Sequence, residues 1–293
     1  MTLPEPNGSF AWVQVGDRPA LVCPALTPFA AHLFTTRAWR LSSSVGTPPH
    51  SAFGRDDEAW DEVGHALGGP RLTMVRARQV HGRSVMVHRR RGYIPSSPPD
   101  ADIIVSDDES VALAIQTADC VPLVMVDAAS GAVAAAHAGW RGLAARVPHV
   151  TVEAMRREFG SRPDDLIVAA GPAIGACCYQ VGPDVRAGFE AAGFPAHDIS
   201  RWFLDRPRPT AVNPSAPGLA CVFRQDRWFL DVWQATRDSL EAAGVPPDRI
   251  HLAELCTASH DVFCSYRRDG AGAGRMAAAI GRGPRVPRAT DRC

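Results

Sequence analysis

The chain has 293 residues and is 46% hydrophobic, which is enough to bury a substantial core in one large domain. Its 31 basic and 31 acidic residues give a formal net charge of zero, so the sequence predicts no nucleic-acid partner and no membrane surface. Every basic residue is arginine, which leaves no lysine for a P-loop or a Schiff base, and anions must be held by arginine or backbone N–H groups.

The sequence shows no targeting segment and no disulfide framework. Met1 to Val22 lacks the charged and apolar pattern of a secretory signal. Apolar runs such as Val121 to Val126 are far shorter than the roughly 20 residues that span a bilayer. The eight cysteines have no regular spacing. We therefore expect a cytoplasmic protein with reduced thiols.

The first part of the chain predicts short strands joined by loops. Residues 1–60 are rich in Pro, Ser and Thr around short apolar pieces, which predicts peripheral strands and loops. From Arg71 to His88, β-favouring residues are interrupted at His81, which predicts two strands with a sharp bend between them. A surface loop from Tyr93 to Asp102 precedes a buried strand from Ile103 to Ser106.

A β-hairpin is predicted after a further strand from Val111 to Ile115. Its strands are Val121 to Val126 and Ala132 to Ala136, joined by a turn at Asp127 to Gly131. A turn centred near Ala129 places Cys120 and His137 one position out of register, just beyond the regular ladder. Directly paired side chains are about 5 Å apart, so both residues could reach one ion.

The remaining predicted elements mix helices and strands. They are helices at Gly139 to Phe159, Pro183 to Ala192 and Leu230 to Ala243, and strands at Leu166 to Ala170, Ala220 to Phe223 and Ile250 to Leu255. Residues 281–293 are rich in Gly, Pro and Arg, which predicts a disordered tail. This pattern predicts an α/β fold, with residues 1–280 forming a single layered domain whose helices pack on a mixed sheet.

Three residues at predicted strand ends form the main candidate site. His81, Cys120 and His137 would supply three ligands to zinc or copper and leave a fourth position open, as in catalytic metal sites. Alternatively, Cys120 is a nucleophile with His137 as its general base, and Asp119 or another acid orients the ring. The third histidine-bearing segment favours the metal, because a nucleophile and its base need only one imidazole. The ordinary alternative is hydrogen-bonded histidines and an inert thiol.

A loop containing two glycines is a candidate for binding an anion. It runs from Gly171 to Tyr179, includes Gly175, and lies between a buried strand and a helix. Its backbone N–H groups could cradle phosphate, although glycine loops of this kind are also common turns. Gly171 and Gly175 are therefore candidate phosphate contacts.

Arginines supply the other candidate anion contacts. The adjacent Arg267 and Arg268 could bind phosphate or form an exposed salt-bridged loop. Trp140 and Arg141 flank the candidate metal site, where they could form a stacking wall for a flat ring or pack the first turn of a helix.

Six segments together resemble the laccase-domain (YfiH-like) family, whose members are known as polyphenol oxidases and as purine nucleoside phosphorylases with adenosine deaminase activity. They occur in the family's order and extend over about residues 34–280 of the chain. The segments are Gln79-Val80-His81-Gly82, Thr117-Ala118-Asp119-Cys120-Val121-Pro122, Ala136-His137-Ala138-Gly139-Trp140-Arg141-Gly142, Gly171-Pro172-Ala173-Ile174-Gly175, Cys256-Thr257 and Ser265-Tyr266-Arg267-Arg268-Asp269.

The resemblance carries expectations for the metal, the fold and the reaction. It implies that His81, Cys120 and His137 bind zinc, or copper in some members, within a monomeric layered α/β domain. It implies phosphorolysis of adenosine, inosine, guanosine or methylthioadenosine to the base and ribose 1-phosphate, and deamination of adenosine. Under this hypothesis, Arg141, Arg267 and Arg268 are the candidates to hold phosphate.

The chain departs from the family pattern near its amino end. An S-L-N-L-G segment normally follows the Thr-Arg motif, here Thr36-Arg37, but this chain has Ser51-Ala52-Phe53-Gly54. The missing asparagine puts substrate contacts from that loop in question.

Other functions remain open for the same three residues. One is hydrolysis of an amide in a cell-wall precursor, a UDP-MurNAc-peptide, because some relatives are described as peptidoglycan editing factors. Copper-dependent polyphenol oxidation by a laccase ranks lower, since multicopper oxidation needs many more histidines than one Cys-His-His set provides. A non-enzymatic binding role is the last alternative.

Overall fold

The computed structural model describes residues 2–41, 57–68, 72–94, 97–216, 219 and 226–282. Within these residues, two six-stranded mixed sheets and one small antiparallel sheet form the framework. In spatial order, the first sheet contains β1 (Ala11–Val15), β2 (Arg18–Val22), β3 (Ala30–Thr35), β15 (Met276–Arg282), β7 (Val111–Thr117) and β4 (Thr73–Arg76).

The second large sheet supplies the predicted hairpin and its neighbours. It contains β14 (Ile250–Leu252), β10 (Leu166–Ala170), β8 (Val121–Asp127), β9 (Val133–Ala138), β6 (Ile103–Ser106) and β5 (Val85–His88). The small sheet contains β11 (Gln180–Val181), β13 (Trp228–Leu230) and β12 (Phe203–Leu204).

Seven α-helices lie within the described residues, six of them after β9. They are α1 (Asp57–Gly68), α2 (Trp140–Ala144), α3 (Val147–Phe159), α4 (Pro183–Ala191), α5 (Ala196–Trp202), α6 (Val232–Ala242) and α7 (Tyr266–Asp269). No helix among them is long and apolar enough to cross a membrane.

Alternation along the strands explains the layers. On β7, Leu113 belongs to the core between the two large sheets, whereas Ala114 faces the cluster that α1 covers. On β8, Val124 faces the same inter-sheet core, whereas Leu123 packs under the later helices, including α3 and α6. Successive side chains of a strand point to opposite faces, so each large sheet has two buried faces. The result is a four-layered α/β/β/α domain, which confirms the predicted layered α/β class.

The predicted hairpin forms, but its predicted register is wrong by one position. Pro122 pairs with His137, so Cys120 lies two positions from His137 rather than one, and His137 is inside β9. The turn is the cause: the N–H of Asp127 donates to the carbonyl of Ala132, which leaves four residues in the loop. The loop centre therefore lies beyond Ala129.

The predicted helix from Gly139 to Phe159 is two helices. α2 ends at Ala144, Arg146 is left-handed with φ 60°, and α3 begins at Val147. Pro148 explains the break, because its ring would clash with the carbonyl of Ala144 in a continuous helix and has no N–H to donate to it. The end at Phe159 is confirmed.

Several other boundaries are shifted by local chemistry. Leu230 completes β13, and α6 starts only after Asp231, whose side chain accepts the N–H of Gln234 as a cap. β14 ends at Leu252 rather than 255, since Glu254 is left-handed with φ 51°. β15 continues to Arg282, two residues into the predicted tail. The predicted strand at 220–223, the segment at 51–54 and the tail from 283 lie outside the described residues.

Candidate metal centre

His81 lies on a segment that crosses from the first large sheet to the second. β4 ends before it and β5 begins after it, and its own backbone is left-handed with φ 58°, as the predicted bend requires. Asp102 holds this turn, because its carboxylate accepts the backbone N–H groups of Val80 at 3.2 Å, His81 at 3.0 Å and Gly82 at 2.7 Å. Asp102 is fully buried, so the carboxylate fixes the turn without competition from water.

Gln79 fixes the same segment against β7. Its amide nitrogen donates to the carbonyl of Gln116 at 2.7 Å, and its amide oxygen accepts the N–H of Gln116 at 2.7 Å. The side chain thus mimics a paired strand next to β7.

Cys120 lies on a second crossing between the same two sheets. β7 of the first sheet ends at Thr117, and β8 of the second begins at Val121. Asp119 makes the sharp turn with φ 87°, a conformation that costs a non-glycine residue free energy unless its surroundings hold it. The two crossings bring Cys120 next to His81 at one end of the sheets.

The structure brings the three predicted ligands together. One ligand atom each of His81, Cys120 and His137 lies within 4.8 Å of the other two, and the two imidazole rings are 4.9 Å apart at 80°. His137 is buried and His81 is exposed, so the cluster opens to solvent beside His81. Gly139 makes room for the cluster, because a Cβ atom there would lie 2.8 Å from the sulfur of Cys120.

Asp102 also orients His137, a role that the sequence analysis left to Asp119 or another acid. The Nδ1–H of His137 donates to Asp102 Oδ1 at 2.8 Å, which leaves Nε2 of the ring for the cluster. Burial raises the pKa of Asp102, but the hydrogen bonds from His137 and Gly82 outweigh it and lower the pKa below its usual range. Asp102 is therefore a charged partner for both histidine-bearing segments.

In the absence of metal, Cys120 and His137 form a thiolate–imidazolium pair. Burial would raise the pKa of Cys120, but the charge of His137 and hydrogen bonds from His137 and His81 lower it to about 6. Burial would lower the pKa of His137, but the charge of Cys120 and the hydrogen bond to Asp102 raise it to about 9. A thiolate at neutral pH is the form of cysteine that binds metals and attacks electrophiles.

Asp119 connects the cysteine to three later segments of the family pattern. Its carboxylate accepts the hydroxyl of Thr257 and the backbone N–H of Arg267, both at 2.6 Å. Its carbonyl accepts the N–H of Ile174 at 2.9 Å. Burial raises the pKa of Asp119 against the opposing effect of these hydrogen bonds.

Two arginine–aromatic pairs follow from the segments next to the centre, Arg267 with Tyr179 and Arg141 with Trp140. The guanidinium of Arg267 lies 4.9 Å from the ring centre of Tyr179 and donates to the carbonyl of Gln180 at 2.7 Å. Arg141 is exposed and covers the ring of Trp140 at 4.2 Å. Burial and the charge of Cys120 raise the pKa of Tyr179, while the charges of Arg267 and Arg141 oppose the rise.

Arg268 points away from its neighbour Arg267 and is hydrogen-bonded within its own loop. Its guanidinium donates to the carbonyls of Thr257 at 2.9 Å, His260 at 3.1 Å and Phe263 at 2.8 Å, and to both carboxylate oxygens of Asp269. These contacts occupy its five N–H donors. Arg268 therefore holds the loop that presents Arg267.

The two predicted phosphate glycines are packed against aromatic rings. A Cβ atom at Gly171 would lie 2.2 Å from the ring of Phe34, and one at Gly175 would lie 2.6 Å from the ring of Trp233. The N–H of Gly171 donates to the carbonyl of Pro122, and that of Gly175 donates to the sulfur of Cys256. Within the described residues, the close approach of these rings explains why both positions are glycine, and the N–H groups of both glycines already have partners.

The comparisons with known proteins agree with this fold and show the family. The chain belongs to the family described as multi-copper polyphenol oxidoreductase laccase, which matches residues 32–283. A purine nucleoside phosphorylase of Deinococcus radiodurans is 35% identical over 85% of this chain and 88% of that protein. An adenosine deaminase, RL5, from an unknown prokaryotic organism is 33% identical over 71% of this chain and 74% of that protein.

A solved structure shows the same fold. The hypothetical protein YfiH of Bacillus licheniformis superposes with a TM-score of 0.76 at 24% identity and covers 94% of this chain and 99% of that chain. At this identity the likeness supports the architecture alone.

Proposed function

We propose that the protein is a metal-dependent purine nucleoside phosphorylase that also deaminates adenosine. Its substrates would be adenosine, inosine, guanosine or methylthioadenosine, split by phosphate into the base and ribose 1-phosphate. The observation that carries the proposal is the cluster of His81, Cys120 and His137, beside which Asp119 holds the segment that contains Arg267. The names of the relatives from Deinococcus radiodurans and of RL5 support the purine assignment.

The residues present fit a zinc ion. Zinc bonds of about 2.0–2.3 Å to nitrogen and sulfur place tetrahedral ligands about 3.5 Å apart, so ligand atoms within 4.8 Å of one another need only a small contraction. His81, Cys120 and His137 would hold the ion, and copper accepts the same donors. When bound, the metal supplies a Lewis acid with one open coordination position.

The chain's own groups account for binding and orientation of the substrates. Arg267 and Arg141 would hold phosphate, because a guanidinium presents paired N–H donors to its oxygens. A flat purine would lie beside the paired groups Arg141–Trp140 and Arg267–Tyr179, in which a guanidinium already covers each ring. An oxygen of the phosphate forms the new bond to C1′ of the ribose, the bond from C1′ to the base nitrogen breaks, and the base leaves with the electron pair of that bond.

Base release from inosine and adenosine, with and without phosphate, tests the proposal on the zinc-loaded protein. We expect phosphate-dependent release of hypoxanthine and adenine, and ammonia from adenosine. Cys120→Ala should abolish both activities, because it removes one metal ligand. Cys23→Ala is the matched control, since Cys23 is a buried cysteine of the inter-sheet core, and it should leave both activities intact.

The other two enzyme classes give different products in the same preparations. Amide hydrolysis of a UDP-MurNAc-peptide would release an amino acid without phosphate, and polyphenol oxidation would consume oxygen with a phenol. Either product, formed in a Cys120-dependent way with no base released from any of the four nucleosides, would overturn the proposal.

A further inference from the structure

Three further cysteines meet in the interior behind the candidate metal centre. One ligand atom each of Cys177, Cys178 and Cys256 lies within 4.8 Å of the other two, and all three residues are buried and free of disulfides. Cys177 and Cys178 lie near the end of the Gly171 to Tyr179 loop, whereas Cys256 follows β14. A parallel bridge between Ala173 and Cys256 brings the two segments side by side.

The surroundings of this three-cysteine cluster stabilise negative charge on sulfur. The backbone N–H of Gly175 donates to the sulfur of Cys256, and that of Ala216 donates to the sulfur of Cys178, both at 3.3 Å. The hydroxyl of Ser259 donates to the carbonyl of Pro214, and its oxygen lies 3.5 Å from the sulfurs of both Cys177 and Cys178, where it can accept from a thiol. These backbone donors point at the sulfur atoms, as they would in a site that holds cysteine in its metal-binding thiolate form.

The three sulfur donors of this cluster indicate which metal it would bind. Zinc in closed structural sites takes four strong ligands, but among the described residues only three cysteines meet here. Soft thiolates without nitrogen or carboxylate donors favour copper(I). Three sulfurs about 2.3 Å from one ion in a trigonal plane would stand about 4.0 Å apart, which agrees with the observed spacing.

We propose that Cys177, Cys178 and Cys256 form a second metal site that binds one copper(I) ion through three sulfurs. This site is separate from the His81, Cys120 and His137 cluster, and it has no position open to solvent because its ligands are all buried. The inference does not depend on the reaction proposed above.

Copper(I) uptake by the full-length, metal-free protein tests the proposal. The thiols are kept reduced without oxygen, and copper(I) is supplied by a competing chelator that prevents non-specific binding. Cys120→Ala, which disables the first cluster, should still bind one copper(I) per chain. Adding Cys177→Ser and Cys178→Ser to that variant should abolish the uptake, whereas adding Cys23→Ala should leave it unchanged.

X-ray absorption spectroscopy of copper-loaded Cys120→Ala identifies the atoms bound to copper and leaves the second site unaltered. We expect a coordination shell of three sulfurs and no imidazole nitrogen. The proposal fails if Cys120→Ala binds no copper(I), if its shell contains histidine nitrogen, or if its copper persists when Cys177 and Cys178 are serine. Because Cys120→Ala retains all three buried cysteines, a folding defect in the serine variants would not obscure the first two outcomes.

Discussion

The candidate metal centre has a histidine half and a cysteine half, each supported by one buried aspartate. Asp102 serves the histidine half, where it bonds His137 and the backbone of the His81 turn. Asp119 serves the cysteine half, where it bonds Thr257 and Arg267. Polar partners lower the pKa of Asp102, whereas burial raises that of Asp119. Asp102 therefore acts directly on a candidate ligand through His137, and Asp119 ties later chain segments to the residue before Cys120.

Replacing the charged aspartate should have the largest effect. Asp102→Asn keeps the shape of the side chain but removes the charge that holds His137 in the correct tautomer. Loss of such a partner lowers metal affinity or activity by roughly 10–100-fold, and we expect about 100-fold here because the same carboxylate holds the His81 turn. Zinc affinity and phosphorolysis rates check the prediction.

A matched aspartate elsewhere separates this effect from a loss of stability. Asp108 is also buried beside a histidine, His88, at 3.4 Å, and it also accepts backbone N–H groups. Asp108→Asn should lower the melting temperature while zinc affinity stays within about twofold of the unmodified protein. Equal loss of zinc affinity in both variants would contradict a specific role for Asp102.

The cysteine half is tested by its two adjacent arginines. Arg267→Ala should raise the KM for phosphate about 30-fold, because one charge-assisted hydrogen bond contributes about 2 kcal/mol. Arg268→Ala should raise this KM much less than Arg267→Ala does and instead lower the free energy of unfolding by about 2 kcal/mol, since several carbonyls lose their donor. Initial rates at varied phosphate and urea unfolding measure the two effects. An unchanged phosphate KM in Arg267→Ala would remove this residue from the site.

A substitution at Gly139 tests how closely the histidine half and the cysteine half of the centre are packed. Gly139→Ala should lower zinc affinity about tenfold, since the new Cβ would lie 2.8 Å from the sulfur of Cys120 and 3.3 Å from the ring of His81. The backbone itself tolerates alanine, because φ is −72°. Gly272→Ala is the control, as a Cβ there meets nothing within 4 Å. Normal zinc affinity in Gly139→Ala would show that the cluster is less crowded than the structure indicates.

The smallest expected effect is a shift in a titration. In the metal-free protein, the thiolate of Cys120 should appear as pH rises through about 6, because its pKa is lowered from the usual value. Asp102→Asn removes a group that raises the pKa of His137, so the midpoint of Cys120 should move upward. Thiolate absorbance, with Cys120→Ala subtracted, follows both midpoints. If the Cys120 midpoint were the same in Asp102→Asn, the charge of Asp102 would have no effect on the ionisation of Cys120.

The sequence predicted the layered class and the three clustered residues because each is marked locally. His81 stands at a break between β-favouring runs, and Cys120 and His137 stand at the ends of a short hairpin. Asp102 was missed as the partner of His137, because only the pairing of β6 with β9 brings together two residues that are 35 positions apart. Such a contact leaves no signal in spacing.

Two pairs of identical adjacent residues show the same limit of prediction from sequence, because their different contacts arise only in the folded chain. The sequence does not distinguish Arg267 from Arg268. Only the folded loop directs the first toward Tyr179 and the second toward backbone carbonyls. Likewise, the adjacent Cys177 and Cys178 gave no sign of a third partner, since Cys256 reaches them through the bridge at Ala173. Long-range strand pairing decides which polar groups meet.

The two crossings that carry His81 and Cys120 have a mechanical consequence. Each crossing leaves the first large sheet and enters the second, so an ion bound to both residues would cross-link the two sheets at one end of the domain. The sheets could then separate there only by breaking a coordination bond. Release of the metal during gradual denaturation would therefore indicate when the two sheets separate. Removing the metal beforehand would remove this cross-link and let that end of the two sheets separate more easily.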